Sequence, residues 1–288
     1  MSPPEVREAV ERLHGGTVAE VRQGGGAIFV VTLDSGERLV AKHGTGEGAI
    51  AAEAAGLAWL AEYGDVRLPA VHAHDEDWLV MDYVPPGPPS KRAAEELGRG
   101  LAALHLRGAP AYGSPPPGGP ADAWMGLAPM RNEPQPDWPT FYARHRIEPY
   151  VRMCADQELF DAGEVQVFDR LCEALPRAAG PPEPPSRLHG DAWSGNVRWS
   201  DEGVWLIDPA AHGGHREGDL AMLQLFGAPL LSHILGAYAE STAVPLAEGW
   251  RGRVRLHQLF PLLMHAAVFG GGYARQALDA AREALRLT

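Results

Sequence analysis

Three side chains that carry oxygen ligands, Asp191, Asn196 and Asp208, lie within one short stretch of the chain, residues 187–209. Asp191 and Asn196 are separated by the spacing that the Asp and Asn have in the kinase catalytic loop. In that loop the Asp accepts the proton of the substrate hydroxyl, and the Asn holds a metal ion. The spacing therefore predicts phosphoryl transfer with Asp191 as the base.

The residues between Asn196 and Asp208 predict a β-hairpin that brings these two side chains together. Two β-rich runs flank a Ser-Asp-Glu-Gly segment, which is typical of a four-residue turn. If Trp199 pairs with Val204, Asn196 lies opposite Ile207 and beside Asp208. Two oxygen ligands on a rigid hairpin suit Mg²⁺, which completes its shell with water and phosphate oxygens. The structural alternative is an Asx turn at Asn196 and an ordinary strand-end carboxylate at Asp208.

The N-terminal part of the chain predicts a three-stranded antiparallel meander with a glycine-rich first hairpin. Three β-rich runs between residues 17 and 43 are separated by Gly24, Gly25 and Gly26 and then by an Asp-Ser-Gly-Glu turn. Glycines without a Cβ let backbone N–H groups approach phosphate oxygens closely. A flexible hairpin explains the glycines equally well. The pattern is neither a Walker A loop nor a dinucleotide fingerprint.

Lys42 and Glu53 form a second candidate constellation. Lys42 lies on the third strand, and Glu53 lies on the edge of the apolar face of a helix that begins near Glu47. A carboxylate that faces the interior needs a partner, and Lys42 is the nearest cation upstream. Kinases pair a strand Lys with a helix Glu to hold the ammonium against the nucleotide phosphates. The alternative is that both side chains are exposed.

An apolar strand at residues 78–84 runs into a Pro-Pro-Gly-Pro-Pro segment, which is typical of a hinge between two lobes. In a kinase, the backbone at this point hydrogen-bonds adenine. Met81, Asp82, Tyr83 and Val84 are therefore candidate nucleotide contacts.

We place the domain boundary at this hinge. Residues 1–85 would form a nucleotide-binding lobe, and residues 86–288 a mainly helical lobe with the catalytic loop, the metal ligands and the substrate pocket. The Pro/Gly-rich segment 108–139 reads as an ordered insertion or a substrate-side loop. Helices are predicted at about 90–107, 141–153, 158–175, 219–240, 251–268 and 273–287.

Composition limits the functional classes. The net charge of −12 and the lack of a Lys/Arg-rich run argue against a nucleic-acid or membrane-surface partner. Cys154 and Cys172 are the only cysteines, and neither an apolar signal core nor a long apolar span is visible, so we expect a cytoplasmic protein. His212 and His215 could share a metal, but no second ligand pair lies near them in sequence.

Two strings, HGDAWSGN at 189–196 and LIDPAAHGGHREGDLAMLQLFG at 206–227, resemble the fructosamine kinase (ketosamine-3-kinase) family. This family is related to the aminoglycoside and choline kinases. The resemblance covers nearly the whole chain and implies an α+β, two-lobed, protein-kinase-like fold with an antiparallel-sheet N-lobe and a mainly helical C-lobe. One departure is Ala192, where the family usually has a larger apolar residue, and it predicts a larger substrate pocket.

The resemblance implies a site for ATP and Mg²⁺. In it, Asp191 is the catalytic base, Asn196 and Asp208 hold Mg²⁺, and Lys42 and Glu53 form the nucleotide pair.

The resemblance also implies a substrate site. Trp193 would lie where the sugar binds, and His215, Arg216 and Glu217 would shape the pocket and its support. The alternatives are that Trp193 only packs under the catalytic loop and that Arg216 and Glu217 pair with neighbours. Asp219 reads as a helix N-cap that also accepts N–H bonds from the catalytic loop.

Together these features predict an ATP- and Mg²⁺-dependent kinase that phosphorylates a small sugar amine, a ketosamine, at its 3-hydroxyl. We expect a monomer or a weak homodimer. One alternative is a kinase of an aminoglycoside or another amino sugar on the same fold. Another is a nucleotide-binding module without turnover. A protein kinase is disfavoured because no Asp-Phe-Gly or Ala-Pro-Glu string follows.

Overall fold

The N-terminal lobe is built on one antiparallel sheet. The computed structural model describes residues 2–288. The strands are β1 (Val18–Gly25), β2 (Ile28–Leu33), β3 (Arg38–His43), β4 (Val71–His74) and β5 (Trp78–Asp82). They lie in the order β1-β2-β3-β5-β4. Two helices, α1 (Pro3–His14) and α2 (Ala49–Ala61), pack against this sheet.

The two helices cover opposite faces of the sheet, and strand alternation decides which side chain meets which helix. Val10 of α1 belongs to the same buried cluster as Leu39 of β3, whereas Leu57 of α2 clusters with Leu79 of β5. Lys42 lies three positions after Leu39 on β3, so its side chain points to the other face, toward α2. The alternation of side chains along β3 therefore directs Lys42 toward α2, the helix that carries Glu53.

The C-terminal lobe is mainly helical. Its helices are α3 (Lys91–Leu106), α4 (Trp138–Tyr142), α5 (Glu148–Asp156), α6 (Ala162–Ala178), α7 (Glu217–Leu225), α8 (Leu231–Ser241), α9 (Trp250–Phe269) and α10 (Gly272–Ala284). A π-helical stretch, Ala143–Ile147, joins α4 to α5, and a 3₁₀ turn, Leu285–Leu287, follows α10. No helix of residues 2–288 is both long and apolar enough to cross a membrane.

Three short antiparallel strand pairs complete the C-terminal lobe. They are β6 (Asp122–Met125) with β7 (Ala128–Arg131), β8 (Ser186–Leu188) with β11 (His212–Gly214), and β9 (Val197–Ser200) with β10 (Gly203–Leu206). The last two pairs frame the stretch in which the sequence predicts the catalytic and metal-binding residues.

Helix α9 crosses the core of this lobe although it contains Pro261. Proline has no N–H, so the carbonyl of His257, four residues earlier, loses its helical donor. The hydroxyl of Tyr142 lies 3.3 Å from that carbonyl and 2.8 Å from the carbonyl of Leu256, and it accepts the N–H of Phe260 at 3.1 Å. One buried tyrosine thereby satisfies backbone groups that the proline frees.

The predicted fold class is confirmed, but several elements differ from the prediction. Strands β6, β7, β8 and β11 were not predicted, and the helix predicted at 141–153 is interrupted by the π-helical stretch. Strand β4 was not predicted because it is short and carries two His residues. The helix predicted at 219–240 is two helices, α7 and α8. Gly227 and Leu230 between them have positive φ of 73° and 57°, and Pro229 cannot continue a helix.

Gly98 of α3 permits close packing against α8. A Cβ at Gly98 would lie 2.2 Å from the carbonyl oxygen of Ile234, whereas Gly236 of α8 faces open space. We expect Gly98→Ala to lower the free energy of unfolding by about 1–3 kcal/mol through overpacking. Gly236→Ala is the matched control and should raise it by about 0.5–1 kcal/mol. Urea denaturation of both variants checks this, and equal stabilisation by both would contradict the packing.

Candidate active site

The predicted hairpin forms and brings Asn196 to Asp208. Trp199 lies opposite Val204, as predicted, although the turn has two residues and not four. Beyond the strands, the N–H of Ile207 donates to the carbonyl of Asn196 at 3.0 Å. The Nδ2 of Asn196 also lies 3.4 Å from the backbone carbonyl of Asp208. The two predicted metal ligands are therefore neighbours at one end of the hairpin.

Asp191 joins this pair through the Asn196 amide. The Nδ2 of Asn196 donates to the backbone oxygen and to Oδ2 of Asp191, both at 2.9 Å. Because Nδ2 faces these acceptors, the Oδ1 of Asn196 remains free to bind a metal. Asp208 adopts a left-handed φ of 51°, which is uncommon outside glycine and is often found at functional sites.

Lys42 connects these residues to the N-terminal lobe. Its Nζ lies 2.7 Å from Oε2 of Glu53 and 3.0 Å from Oδ1 of Asp208. Burial lowers the pKa of Lys42, but the charges of both carboxylates outweigh burial and raise this pKa above its ordinary value. The predicted contact between Lys42 and Glu53 is present. The contact with Asp208 was not predicted.

Asp191 is the group whose protonation is most affected by its surroundings. Burial raises the pKa of Asp191 to about 8, the hydrogen bond from Asn196 opposes the rise, and the charge of Asp208 adds to it. A carboxyl with a raised pKa is typical of residues that exchange protons at functional sites. Its position is compatible with the role of base.

A buried carboxylate, Asp219, holds the catalytic loop in place. It accepts the N–H groups of His189 at 2.8 Å and Gly190 at 2.9 Å, and it lies 3.2 Å from Nε2 of His105. Gly190 has a φ of 82°, and a Cβ there would lie 2.1 Å from the oxygen of Ala210. The predicted bonds to the loop are confirmed. The predicted N-cap is wrong, because α7 begins two residues earlier and Asp219 lies inside its first turn.

A cavity of about 440 Å³ lies where the two lobes meet. Its lining includes Gly25, Gly26, Lys42 and Glu53 from the N-terminal lobe, and Trp124, Leu127, Asp191, Trp193, Asn196 and Asp208 from the C-terminal lobe. Among the described lining residues, three carboxylates face one ammonium. The carboxylate of Asp208 and the free amide oxygen of Asn196 are hard oxygen ligands of the kind that a divalent cation binds.

The β6–β7 hairpin forms a wall of this cavity and reaches the N-terminal lobe. The Nε1 of Trp124 donates to the carbonyl of Glu47 at 3.0 Å, and the Oγ1 of Thr45 donates to the carbonyl of Gly126 at 3.1 Å. A Cβ at Gly46 would lie 2.1 Å from the Trp124 ring. The insertion is thus ordered, as predicted. Alternating apolar residues around Gly126 were the overlooked sign of a hairpin.

The predicted nucleotide contacts fall into two groups. Gly25 and Gly26 line the cavity, and Gly26 has a positive φ of 54° at the turn between β1 and β2, while Gly24 lies within β1. By contrast, Met81, Asp82, Tyr83 and Val84 are not among the described residues that line it. Val84 accepts a hydrogen bond from Nε of Arg198 at 3.3 Å. Adenine contact at this hinge stays a prediction.

Trp193 lines the cavity two residues after Asp191. Its side chain is 37% exposed, and its ring covers Gly195, where a Cβ would lie 2.2 Å from the ring. Its ring centroid is 5.7 Å from that of Phe226. Sugar contact by Trp193 stays a prediction. Ala192 is fully buried in the core, so it does not enlarge the cavity as we expected.

The structure places His215, Arg216 and Glu217 in a buried polar network. Arg216 pairs with both carboxylate oxygens of Glu183, and Glu217 pairs with Arg253 at 2.5 and 3.0 Å. None of the three is among the described residues that line the cavity between the lobes. Their position supports a role in holding the site together, which was one of the two predicted readings.

The same network contains a group with metal-ligand chemistry, His215, Glu217 and His257, whose ligand atoms lie within 4.8 Å of one another. Burial and the neighbouring His257 lower the pKa of His215 to about 3, so this imidazole is neutral. The guanidinium of Arg253 already occupies both oxygens of Glu217. We therefore interpret the group as an ion-pair network and not as a metal site.

The ionisation of Glu217 should make the free energy of unfolding depend on pH in the acidic range. Burial raises its pKa, but hydrogen bonds from His257 and Arg253 prevail and lower it from 4.5 to about 2. The ionised form therefore stabilises the fold above pH 4.5, and this contribution is lost as pH falls toward 2. We expect Glu217→Gln to cost roughly 3 kcal/mol at pH 7 and progressively less below pH 4.5. Urea denaturation at pH 7 and pH 3 measures this loss of stability, and the exposed Glu202→Gln is the control. The same loss at both pH values would contradict the role of the ionised Glu217.

Comparison with known proteins places the chain in a family. The model of the fructosamine kinase family matches residues 7–286. A Thermus thermophilus protein named a probable ketoamine kinase is 34% identical over 261 residues, which cover 91% of this chain and 88% of the relative. Mouse ketosamine-3-kinase is 35% identical over 158 residues, which cover 54% of this chain and 50% of the mouse protein.

Solved structures agree with this placement. A Thermobifida fusca protein provisionally named a fructosamine-3-kinase superposes with a TM-score of 0.91 at 44% identity, covering 99% of this chain and 100% of that one. The macrolide 2'-phosphotransferase of Brachybacterium faecium has a TM-score of 0.63 at 17% identity, covering 96% of this chain and 97% of that one, and shows the shared kinase-like fold alone. Because the family model matches nearly the full length of this chain, the chain belongs to the fructosamine kinase family of phosphotransferases.

Proposed function

We propose that this chain is an ATP- and Mg²⁺-dependent kinase that phosphorylates a ketosamine on a sugar hydroxyl, the 3-hydroxyl. One observation carries the proposal. Asp191, Asn196, Asp208 and Lys42 converge on one cavity between a glycine-rich hairpin and Trp193. Phosphoryl transfer requires a base, a metal site and a cation near the phosphates, and these residues can supply all three.

The mechanism follows from the position of each group. Asp191 accepts the proton of the acceptor hydroxyl as its oxygen bonds to the γ-phosphorus, and the bond from that phosphorus to the β,γ-bridging oxygen breaks to release ADP. The Lys42 ammonium, held by Glu53 and Asp208, stabilises negative charge on the phosphate oxygens. Gly25 and Gly26 line the cavity wall, and we assign their backbone N–H groups to the binding of phosphate oxygens.

Oδ1 of Asn196 and the carboxylate of Asp208 would hold Mg²⁺. When bound, this ion neutralises charge on the phosphates and favours the ionised form of Asp191. Asn196 keeps Asp191 oriented toward the acceptor through its Nδ2 hydrogen bond.

The substrate class rests on three observations. The family model and the names of the relatives point to ketosamines. Trp193 offers an aromatic face beside the base, where a sugar ring or the ammonium of a sugar amine can stack. The net charge of −12 of the whole chain is compatible with a cationic acceptor. Aminoglycosides are also cationic and also contain sugar rings that can stack on Trp193. Another amino-sugar acceptor is therefore the second candidate.

The test is ATP consumption with Mg²⁺ and one of four additions: a synthetic fructosamine, an aminoglycoside, free fructose or no acceptor. We expect stimulation by the fructosamine and a product phosphorylated at the 3-hydroxyl, identified by NMR. If the aminoglycoside alone stimulated ATP consumption, the substrate class would be aminoglycosides and not ketosamines. Asp191→Asn should reduce turnover by at least about 10³-fold while nucleotide affinity stays within a few-fold. Unchanged turnover in this variant would remove Asp191 from the mechanism.

Asp208→Asn tests the metal assignment. The variant keeps the shape of the side chain but removes the charge that binds both Lys42 and the metal. We expect Mg²⁺ to improve nucleotide binding much less in this variant, by a factor of ten or more. Calorimetric titration of ATP across a range of Mg²⁺ concentrations measures this, with exposed Asp201→Asn as the control. Wild-type metal dependence in Asp208→Asn would contradict the role as ligand.

The cytoplasmic location and the monomeric or weakly dimeric state stay predictions. Free Cys154 and Cys172 are compatible with the first.

A further inference from the structure

An unbroken row of aromatic side chains begins at the candidate active site and extends along the C-terminal lobe. We call the residues after Trp193 the aromatic row: Phe226, His265, Phe269 and Tyr273. Phe226 lies 5.7 Å from Trp193 and 5.5 Å from His265, measured between ring centroids. His265 in turn lies 5.6 Å from Phe269 and 5.0 Å from Tyr273. Each neighbouring pair is within the range of aromatic contact.

The aromatic row has two exposed members, Phe226 and Phe269, and two partly buried ones, His265 and Tyr273. Phe226 is 40% exposed and Phe269 is 63% exposed. The glycine segment 270–272 follows directly, and no atom lies within 4 Å of the Cβ position at any of its three residues. Connected exposed aromatic residues on an otherwise charged protein are a mark of binding sites.

The aromatic row is also uncharged at neutral pH. Burial lowers the pKa of His265, and its Nδ1 lies 2.6 Å from the carbonyl of Pro261 in the preceding helical turn. The imidazole therefore supplies an uncharged aromatic ring face between Phe226 and Phe269. A ligand that complements this surface is apolar or aromatic.

The direction of the row fits the acceptor side of the site. The groups assigned to the phosphates, Lys42 and the glycines of the β1–β2 turn, come from the N-terminal lobe. Trp193 lines the cavity beside Asp191 in the C-terminal lobe, and the row continues from its edge. The row itself lies outside the lining of the cavity, so an acceptor with its hydroxyl at Asp191 would reach Phe226 by extending past Trp193.

We propose that the aromatic row is a specificity-determining subsite that binds the amine substituent of the acceptor and selects substituents with an apolar or aromatic group. This inference rests on the proposed function. The sugar occupies the cavity at Trp193, and the group attached to the nitrogen contacts Phe226, His265 and Phe269.

Two acceptors that share one sugar and one charge test the inference. They are 1-deoxy-1-ethylamino-fructose and 1-deoxy-1-(2-phenylethylamino)-fructose, which differ only by a phenyl ring. We expect kcat/KM for the phenyl compound to be at least about tenfold higher, as one well-packed aromatic contact provides. Phe226→Ala and Phe269→Ala should each bring the ratio of the two values toward one. Tyr63→Ala removes another exposed aromatic ring, outside the row, and should leave the ratio unchanged.

The outcomes separate this inference from the proposed function. Equal kcat/KM for both compounds, or a wild-type ratio in both row variants, would overturn the subsite while the kinase activity stands. A row variant that dissociates a dimer in sedimentation but keeps the wild-type ratio would show an interface between copies, and the subsite would fall. Turnover of neither compound would overturn the proposed function and the subsite together.

Discussion

The ammonium of Lys42 lies between a carboxylate of its own lobe, Glu53, and a carboxylate of the other lobe, Asp208. Charges in such a partly buried place are stable only when they are paired, so both lobes must present their groups in register. Strand β3 turns Lys42 toward α2, and the β9–β10 hairpin ends where Asp208 can meet it. The cavity between the lobes and the placement of Asp208 beside Asn196 and Asp191 depend on this alignment.

Buried polar groups hold the catalytic loop in place. They do not line the cavity between the lobes. Asp219 binds two consecutive backbone N–H groups of the loop, and Glu217 and Arg216 are each paired in the same region. A buried network with its partners in place is rigid, whereas an unpaired member would be costly. The charged residues Arg216, Glu217 and Asp219 are therefore best explained by support for the loop.

The acceptor side of the cavity is bounded by two features that lie far apart in sequence. The β6–β7 hairpin joins the lobes through Trp124 and the segment 45–47, and the aromatic row begins at the edge of Trp193. The chemistry needed for phosphoryl transfer comes from the loop and the hairpin of residues 187–209. Selection of the acceptor would come from these surrounding surfaces, which can vary without changing the reaction.

The sequence by itself determined the features that depend on short separations and regular periods. The Asp191–Asn196 spacing, the register of Trp199 with Val204 and the facing of Lys42 toward Glu53 follow from turn chemistry, strand alternation and helix periodicity. The fold class and the family followed from the same strings. Only the tertiary structure decided which distant groups meet. Lys42 and Asp208 are 166 positions apart, and Phe226, His265 and Phe269 align only because α7 and α9 pack side by side. No local period encodes such contacts, since burial and packing between separate elements select the partner of each side chain.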